Sequence, residues 1–468
     1  MRADSGAEQR KASQDIDDSS QLVRRVGLAS AGCVIVANMV GSGIFTTSGF
    51  IMQMLGDPWW LLACWLVGGL IALTGALSYG ELGARLPHAG GEYVFLRESF
   101  GPAWAFLSGW VSLVVGFSAP IAASAVAAAG YLLQAWPGAP QEPFLAMGGL
   151  ALTAENLLAL FFIAAFTLLH AKSLGLGISI LNVLTVFKIL VLAVLIAAGL
   201  SLWPASEPWS PLAAMGSQAP DAGSVATALV FVSFAYSGFN AAAYLGGEIK
   251  NPRRNLPLAL MWGTGLVMVL YLLLNVAYLA ALGPAGIPGV KEIGALAAKA
   301  LLGPGAGRAL SAAVCLCLLS GLGAMILAGP RVYFAMARDG LFLGFLGRID
   351  PASGLPSNAI WLQCLIAAIM VLTASFEALL FYIGFTLSLF AALAVAGLFA
   401  LRRRDPRPVA FRVPGYPLTP LVFIAANLAM VGFALVDNPW RGLPSGITLA
   451  SGLALYWFFR KRMNKSGR

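Results

Sequence analysis

Charge is scarce in this chain. Of its 468 residues only 10% are Asp, Glu, Lys or Arg, whereas 59% are hydrophobic and the mean hydropathy is +0.82. A water-soluble domain of this length needs a far more charged surface, so the soluble globular classes are excluded. Histidine is almost absent: His88 and His170 are the two, and neither has neighbours of metal-ligand type, so no metal site is expected. The five cysteines fall inside apolar stretches. Cys315 and Cys317 are spaced too closely for a CxxC motif and point different ways on a helix, so no disulfide framework is expected. No His/Asp/Glu cluster or nucleophile–base grouping appears, which argues against an integral membrane enzyme, and no cofactor is expected. A cleavable leader is not expected either. The first apolar run begins right after Arg24-Arg25 and is too long for a signal sequence. Residues 1–24 are polar and charged and read as a disordered cytoplasmic tail.

What the chain has in abundance is long apolar runs. Twelve have bilayer-crossing length, with approximate cores Val26–Gln53, Trp59–Arg85, Ala103–Tyr131, Glu155–Ala171, Leu176–Leu200, Ser224–Gly246, Leu256–Leu282, Ala309–Phe334, Asn358–Ala374, Glu377–Leu401, Leu418–Val436 and Ile447–Arg460. The positive charges sort by face. With these spans, 24 of the 29 Lys and Arg residues lie on one side, and only Lys291, Lys299, Arg308 and Arg441 lie on the other. Positive loops stay inside, which predicts a multi-pass protein of the cell membrane with both termini cytoplasmic. The net charge of +9 then faces the anionic inner leaflet and requires no nucleic acid. Residues 25–404 read as a ten-helix core. The charged stretch Arg402–Pro408 marks a break, residues 405–461 read as two appended transmembrane helices, and residues 462–468 as a cytoplasmic tail. The segment Gly286–Arg308 suits a short amphipathic helix on the outer surface.

Two glycine-rich interruptions lie deep in these apolar runs: Gly41-Ser42-Gly43 in the first and Ser237-Gly238-Phe239-Asn240 in the sixth. Backbone groups released from a helix cannot stay bare in hydrocarbon, so such breaks line a cavity. Each opens a block of five spans. Five is odd, so the second block crosses with opposite topology, an inverted repeat with discontinuous helices one and six. The first break starts a helix whose free N–H groups carry partial positive charge, and the second ends one with free carbonyls. A small zwitterion fits between them. Taken alone, either break also reads as close helix packing or a capped kink; their matched placement favours a ligand site.

The residues around the breaks carry a family resemblance. Val40-Gly41-Ser42-Gly43-Ile44-Phe45 resembles the first-span signature of the amino acid–polyamine–organocation superfamily. Tyr79–Pro87 followed by Gly90-Gly91-Glu92-Tyr93 resembles the loop after its second span, and Phe234–Asn240 running to Pro257 resembles the sixth span of L-type amino acid transporters. The likeness covers about residues 24–404. It implies an all-α, LeuT-type 5+5 fold and amino acid transport. The resemblance places the substrate carboxylate on the amides of Gly41, Ser42 and Gly43, with Ile44 beside them in the binding set, and the ammonium on the carbonyls of Phe234, Ala235 and Ser237. Phe234 resembles the aromatic gate, Asn240 and Tyr278 resemble polar site residues, and Ser388 stands where a bulky aromatic is common.

Lys188 is the remaining exception, a charge near the middle of the fifth span and too far from either end to snorkel. It resembles the lysine that stands in for sodium in proton-coupled and exchanging members, and its amine is expected to bond carbonyls near Ala37–Val40. The stretch Gly321–Pro330 of the eighth span has no side-chain oxygen to offer a hard cation, which disfavours sodium. The scarcity of other buried charges favours neutral amino acid substrates. The reading is therefore a sodium-independent carrier of neutral L-amino acids, coupled either to protons or to exchange. Alternatives are a channel, an integral membrane enzyme, or an amine or polyamine carrier of the same fold. The sequence specifies no accessory subunit.

Overall fold

The computed structural model describes residues 24–136, 138, 144–147, 150–201, 220–290, 293–373, 376–437 and 439–466. The expected disordered tail lies outside these residues apart from Arg24, and so does Lys291. Among the described residues, each of the twelve apolar stretches contains helix. The first is split into α1 (Leu28–Met39) and α2 (Ser42–Leu55), whose axes meet at 42°. Then come α3 (Pro58–Arg85), α4 (Glu92–Phe100), α5 (Pro102–Val111) and α6 (Ala119–Ala135), the last two joined by a π-helical turn over Ser112–Ser118. Next are α7 (Ala154–Lys172) and α8 (Leu174–Ser201). The sixth stretch is again split, into α9 (Ala222–Tyr236) and the four-residue α10 (Ala241–Tyr244). The chain continues with α11 (Pro252–Leu282), α12 (Ile293–Leu302), α13 (Pro304–Ala328), α14 (Pro330–Arg338), α15 (Ser357–Thr373), α16 (Phe376–Arg404), α17 (Leu418–Asp437) and α18 (Leu443–Ser466). Among the described residues seven helices are long and apolar enough to cross a membrane, and eight if the bent α1–α2 pair is one span.

One feature departs from an all-α reading. Leu145–Met147 and Leu150–Leu152 pair as a short antiparallel hairpin between α6 and α7. Met147 pairs with Leu150 at the end of this ladder.

Local chemistry sets the helix ends. The Asp57 carboxylate caps α3 by accepting from the Trp59 amide at 2.6 Å, with Pro58 in the first turn. The Thr153 hydroxyl caps α7 through the Asn156 amide at 3.2 Å. Gly56, at φ 66°, ends α2 in the left-handed region. Packing then assembles the bundle: α11 lies along α3 and also touches α1 and α8, while α13 lies along α6. The outward faces stay apolar. On α8 alone, Val183 is 68% and Leu190 57% exposed, surface that belongs in lipid rather than in water. The molecule is a multi-pass membrane protein.

Candidate functional site

At the first break the backbone does something the residue pattern did not announce. Val40 takes φ −76° and ψ 86°, and the Gly41 amide donates back to the Met39 carbonyl at 2.9 Å, an inverse γ-turn. The Gly41 N–H is therefore already used. Helix α2 begins at Ser42 with Gly41 as an N-cap lacking a side chain, so the amides of Ser42, Gly43 and Ile44 precede the first i→i−4 bond. The amide set expected at Gly41–Gly43 moves one residue along the chain. The Thr46 and Thr47 hydroxyls bind the Ser42 and Gly43 carbonyls at 2.9 and 2.7 Å and stiffen that first turn.

At the second break α9 ends at Tyr236 and Ser237 is extended. Gly238 follows at φ 90°, where any side chain would be strained and would also strike the Asn38 amide, 2.7 Å from its missing Cβ. The two breaks touch. A Cβ on Gly43 would lie 2.8 Å from the Ala235 Cα. The Tyr271 hydroxyl lies 2.7 Å from the Met39 carbonyl and 3.1 Å from that of Ala235, so its one proton is shared between carbonyls from both breaks. The Phe234 carbonyl accepts from the Ser237 amide at 3.0 Å and keeps one lone pair for a further donor.

A cavity of about 1270 Å³, counting the space at its mouth, opens beside this junction. Gly41, Ser42, Gly43, Phe234, Ala235, Ser237, Asn240 and Ser388 all line it. Ile44 and Tyr278 do not. The Ile44 side chain is fully buried, leaving only its amide in the first turn of α2. Tyr278 is buried against Gly294 of α12, whose missing Cβ would lie 3.4 Å from the Tyr278 hydroxyl. The tyrosine of α11 that reaches the breaks is Tyr271, seven residues earlier on the same helix.

Several wall residues escaped the sequence reading. Gly116, Phe117 and Pro120 come from the π-turn region of the third apolar stretch, where Pro120, lacking an N–H inside a helical run, was the available signal. Glu92 lay in a recognised loop motif and Asn38 just before the first break, yet neither carried a role. Phe423, Asn427 and Met430 of α17 also line the cavity, so a helix expected as an appendage forms part of its wall. Only the fold could show this: Gly75 on α3 leaves room for the Phe423 ring, which stands edge-on to Phe239 at 5.8 Å.

Lys188 is fully buried and donates from Nζ to the carbonyls of Ala37, at 2.9 Å, and Val40. These are the carbonyls expected for it. It ties α8 to the unwound end of α1 but is absent from the cavity wall. Nearby, the Thr185 hydroxyl donates to the Leu181 carbonyl at 2.7 Å and lies 3.1 Å from the Ser320 hydroxyl, which is left to donate to it.

One end of the cavity is sealed by loops. The Val26 amide donates to Glu248 and the Lys250 amide to Val26, at 2.9 and 2.8 Å, while the Gly90 amide donates to Tyr244 at 3.1 Å. Beneath them Arg331 of α14 grips Glu248 with two parallel bonds of 2.7 and 3.1 Å, both side chains fully buried. Glu92, at the start of α4 and outside the long helices, is 3% exposed and lines the cavity next to this seal. Burial pushes its carboxyl above the usual carboxylate range, against the opposing pull of hydrogen bonds from Tyr79, Asn240 and Tyr244.

Comparison with known proteins supplies the family. The amino acid permease family matches residues 26–459. The chain belongs to the amino acid permease family. It is 30% identical over 447 residues to the large neutral amino acids transporter small subunit 2 of Homo sapiens, covering 93% of this chain and 80% of that protein. It is also 30% identical over 450 residues to the serine/threonine exchanger SteT of Bacillus subtilis (strain 168), covering 95% of this chain and 99% of that protein. The b(0,+)-type amino acid transporter 1 of Mus musculus is 28% identical over 445 residues, covering 94% of this chain and 89% of that protein. The chain is a membrane transporter and not an enzyme, and its relatives move amino acids.

Proposed function

We propose that the chain exchanges neutral L-amino acids across the cell membrane by alternating access and without sodium. In this reading twelve helices span the bilayer with both termini cytoplasmic, α1–α8 form one five-span repeat, α9–α16 form its inverted copy, α17 completes the cavity wall and α18 is appended. The observation that carries the proposal is the junction of two interrupted helices over one cavity. The uncapped amides of Ser42–Ile44 suit a carboxylate. The carbonyls of Phe234, Ala235 and Ser237 suit an ammonium, and Asn240 and Ser388 stand where they can meet the side chain. A polyamine lacks the carboxylate that the first site would hold.

Phe234 serves as the gate in this reading, half-buried at the end of α9 over the junction. Lys188 fills the place of a coupling cation and holds the unwound end of α1 to α8 throughout the cycle. The stretch Gly321–Pro330 of α13 and α14 offers a cation no side-chain oxygen of its own. Among the described residues lining the cavity Glu92 is the charged one, and its Oε1 is already engaged by Tyr79 and Asn240, which favours neutral substrate side chains.

The test is counterflow in proteoliposomes. Uptake of labelled neutral amino acids is expected only into vesicles preloaded with an unlabelled one, at the same rate in sodium and potassium buffers. Equal uptake into empty vesicles would exclude exchange, and stimulation by sodium would exclude the lysine as its replacement.

A further inference from the structure

Glu92 is a buried acid that the transport reading leaves without a task. Its carboxylate forms part of the cavity wall beside the sealed end, and its Oε1 accepts from the Tyr79 hydroxyl of α3 and from Asn240 Nδ2, the latter at 2.8 Å. Asn240 Nδ2 also lies 3.3 Å from the Tyr244 hydroxyl, which completes the ring of polar groups around the acid.

No cation belongs to that ring. The groups facing it are Tyr79 from α3 and Tyr244 from α10, with Tyr333 of α14 behind Tyr244. Arg331 of α14 is committed to Glu248. On α4 itself, Tyr93 and Arg97 both turn to Asp339. A carboxylate in this position is desolvated with no opposite charge to balance it.

We propose that Glu92 is a proton-binding residue of the transport cycle, carrying a proton while the end formed by residues 86–91 and 245–251 is closed and giving it up when that end opens. The inference rests on the amino acid carrier reading above. Its geometry is specific: Asn240 closes the second break, Tyr244 ends the short helix α10 that follows it, and the amide of Gly90, two residues before Glu92, donates to the Tyr244 carbonyl. Parting this loop from the break removes partners of the carboxyl and admits water to it in one movement. Closure then takes one proton from water onto the carboxylate, and opening returns it; no other reactant is involved. Lys188, bonded to two carbonyls and outside the wall, stays a strut in this scheme.

The sign follows by linkage. Burial raises the acid above its ordinary value in the closed state, with the hydrogen bonds and the N-terminus of α4 opposing. Stabilisation of the closed state by this proton is full below the open-state value and is lost as pH rises through the closed-state value. Acid favours closure, by up to about tenfold in the closed-to-open ratio per pH unit.

The test uses Glu92→Gln, which keeps an oxygen acceptor for Tyr79 and Asn240 but does not titrate. Exchange is measured from about pH 4 to pH 9, each protein scaled to its own maximum. In parallel, infrared spectra of the purified full chain follow the C=O band of a protonated carboxyl group. The wild type is expected to show a pH-dependent exchange profile and a titrating band, with E92Q flattening the profile and removing the band. Tyr79→Phe, which removes a donor to the ionised form, is expected to move the band's midpoint to higher pH, and this covers the case in which E92Q fails to fold. An E92Q profile matching the wild type, a band that persists in E92Q, or an unmoved midpoint in Y79F overturns the proposal. Absence of amino acid counterflow in the wild type would overturn the carrier reading, while the infrared band would still test the proton site.

Discussion

Gly43 shows how one missing carbon atom joins two distant segments. Its hydrogen stands where a Cβ would lie 2.8 Å from the Ala235 Cα, a backbone atom that can yield only by moving the second break. Gly41 is a different case. Its backbone is extended at φ −122°, and a Cβ there would meet nothing nearer than the Met39 carbonyl at 4.0 Å. The pair separates packing from permissiveness. Gly43→Val is expected to lower stability by about 1–3 kcal/mol through overpacking and to abolish measurable amino acid binding, because the amides and carbonyls no longer face each other at the right distance. Gly41→Ala should stay within about 1 kcal/mol of the parent. Thermal unfolding and equilibrium binding on both purified variants check this. Unchanged binding by G43V would show that the junction does not shape the site. The special status of these glycines was legible in the sequence. The use of the Gly41 amide by a γ-turn was not, since it depends on the ψ of Val40.

At the scale of elements, the seal near Glu92 joins three segments far apart in the chain: the start of α1, the loop before α4 and the loop before α11. Val26 bridges to Ile249 as a single parallel rung, and Ala89 to Leu245 as an antiparallel one. The Arg331–Glu248 pair lies under these rungs with no exposure of either side chain. Taking one partner away leaves a buried charge alone, which costs about 3–5 kcal/mol. Arg331→Leu should therefore lower stability by that order, and adding Glu248→Leu should recover most of the loss. Chemical unfolding in detergent with both proteins decides the matter; equal stability of the single and double variants would show that the pair is not what holds the seal. A second ionic cluster fixes the chain after α16. Glu81 accepts from Arg402, from Arg85 at 3.0 Å and from the Val413 amide at 2.8 Å, and so anchors the segment leading to α17 against α3. That anchoring is why α17 can serve as cavity wall.

For the whole molecule the governing quantity is the distribution of positive charge. Of the 29 Lys and Arg residues, 24 fall on one face of the proposed twelve-span layout. Cysteines introduced singly at positions 172 and 254, in a background lacking the five native thiols, are expected to react with an impermeant reagent from the cytoplasmic side only. Those at 291 and 441 should react from outside only. Labelling of 172 and 291 from the same side would break the layout. Lys172 and Arg254 are exposed at opposite ends of no single helix, the first closing α7 and the second opening α11, so the experiment tests the parity of the intervening spans.

Composition and periodicity were enough for the membrane class, the apolar stretches, the two breaks and the exceptional lysine, because each is a local property: a run of apolar side chains, a glycine where a helix should continue, a charge where none belongs. Tertiary structure decided everything that depends on which distant segments meet. Tyr271 and Tyr278 lie on the same helix two turns apart, and only packing against the breaks sends Tyr271 to the Met39 and Ala235 carbonyls while Tyr278 faces α12. Glu92 reads as a loop acid until the fold brings Tyr79 and Asn240 onto it from two other elements. The place of α17 depends on space that Gly75 leaves on α3, a vacancy with no meaning until the two helices are side by side.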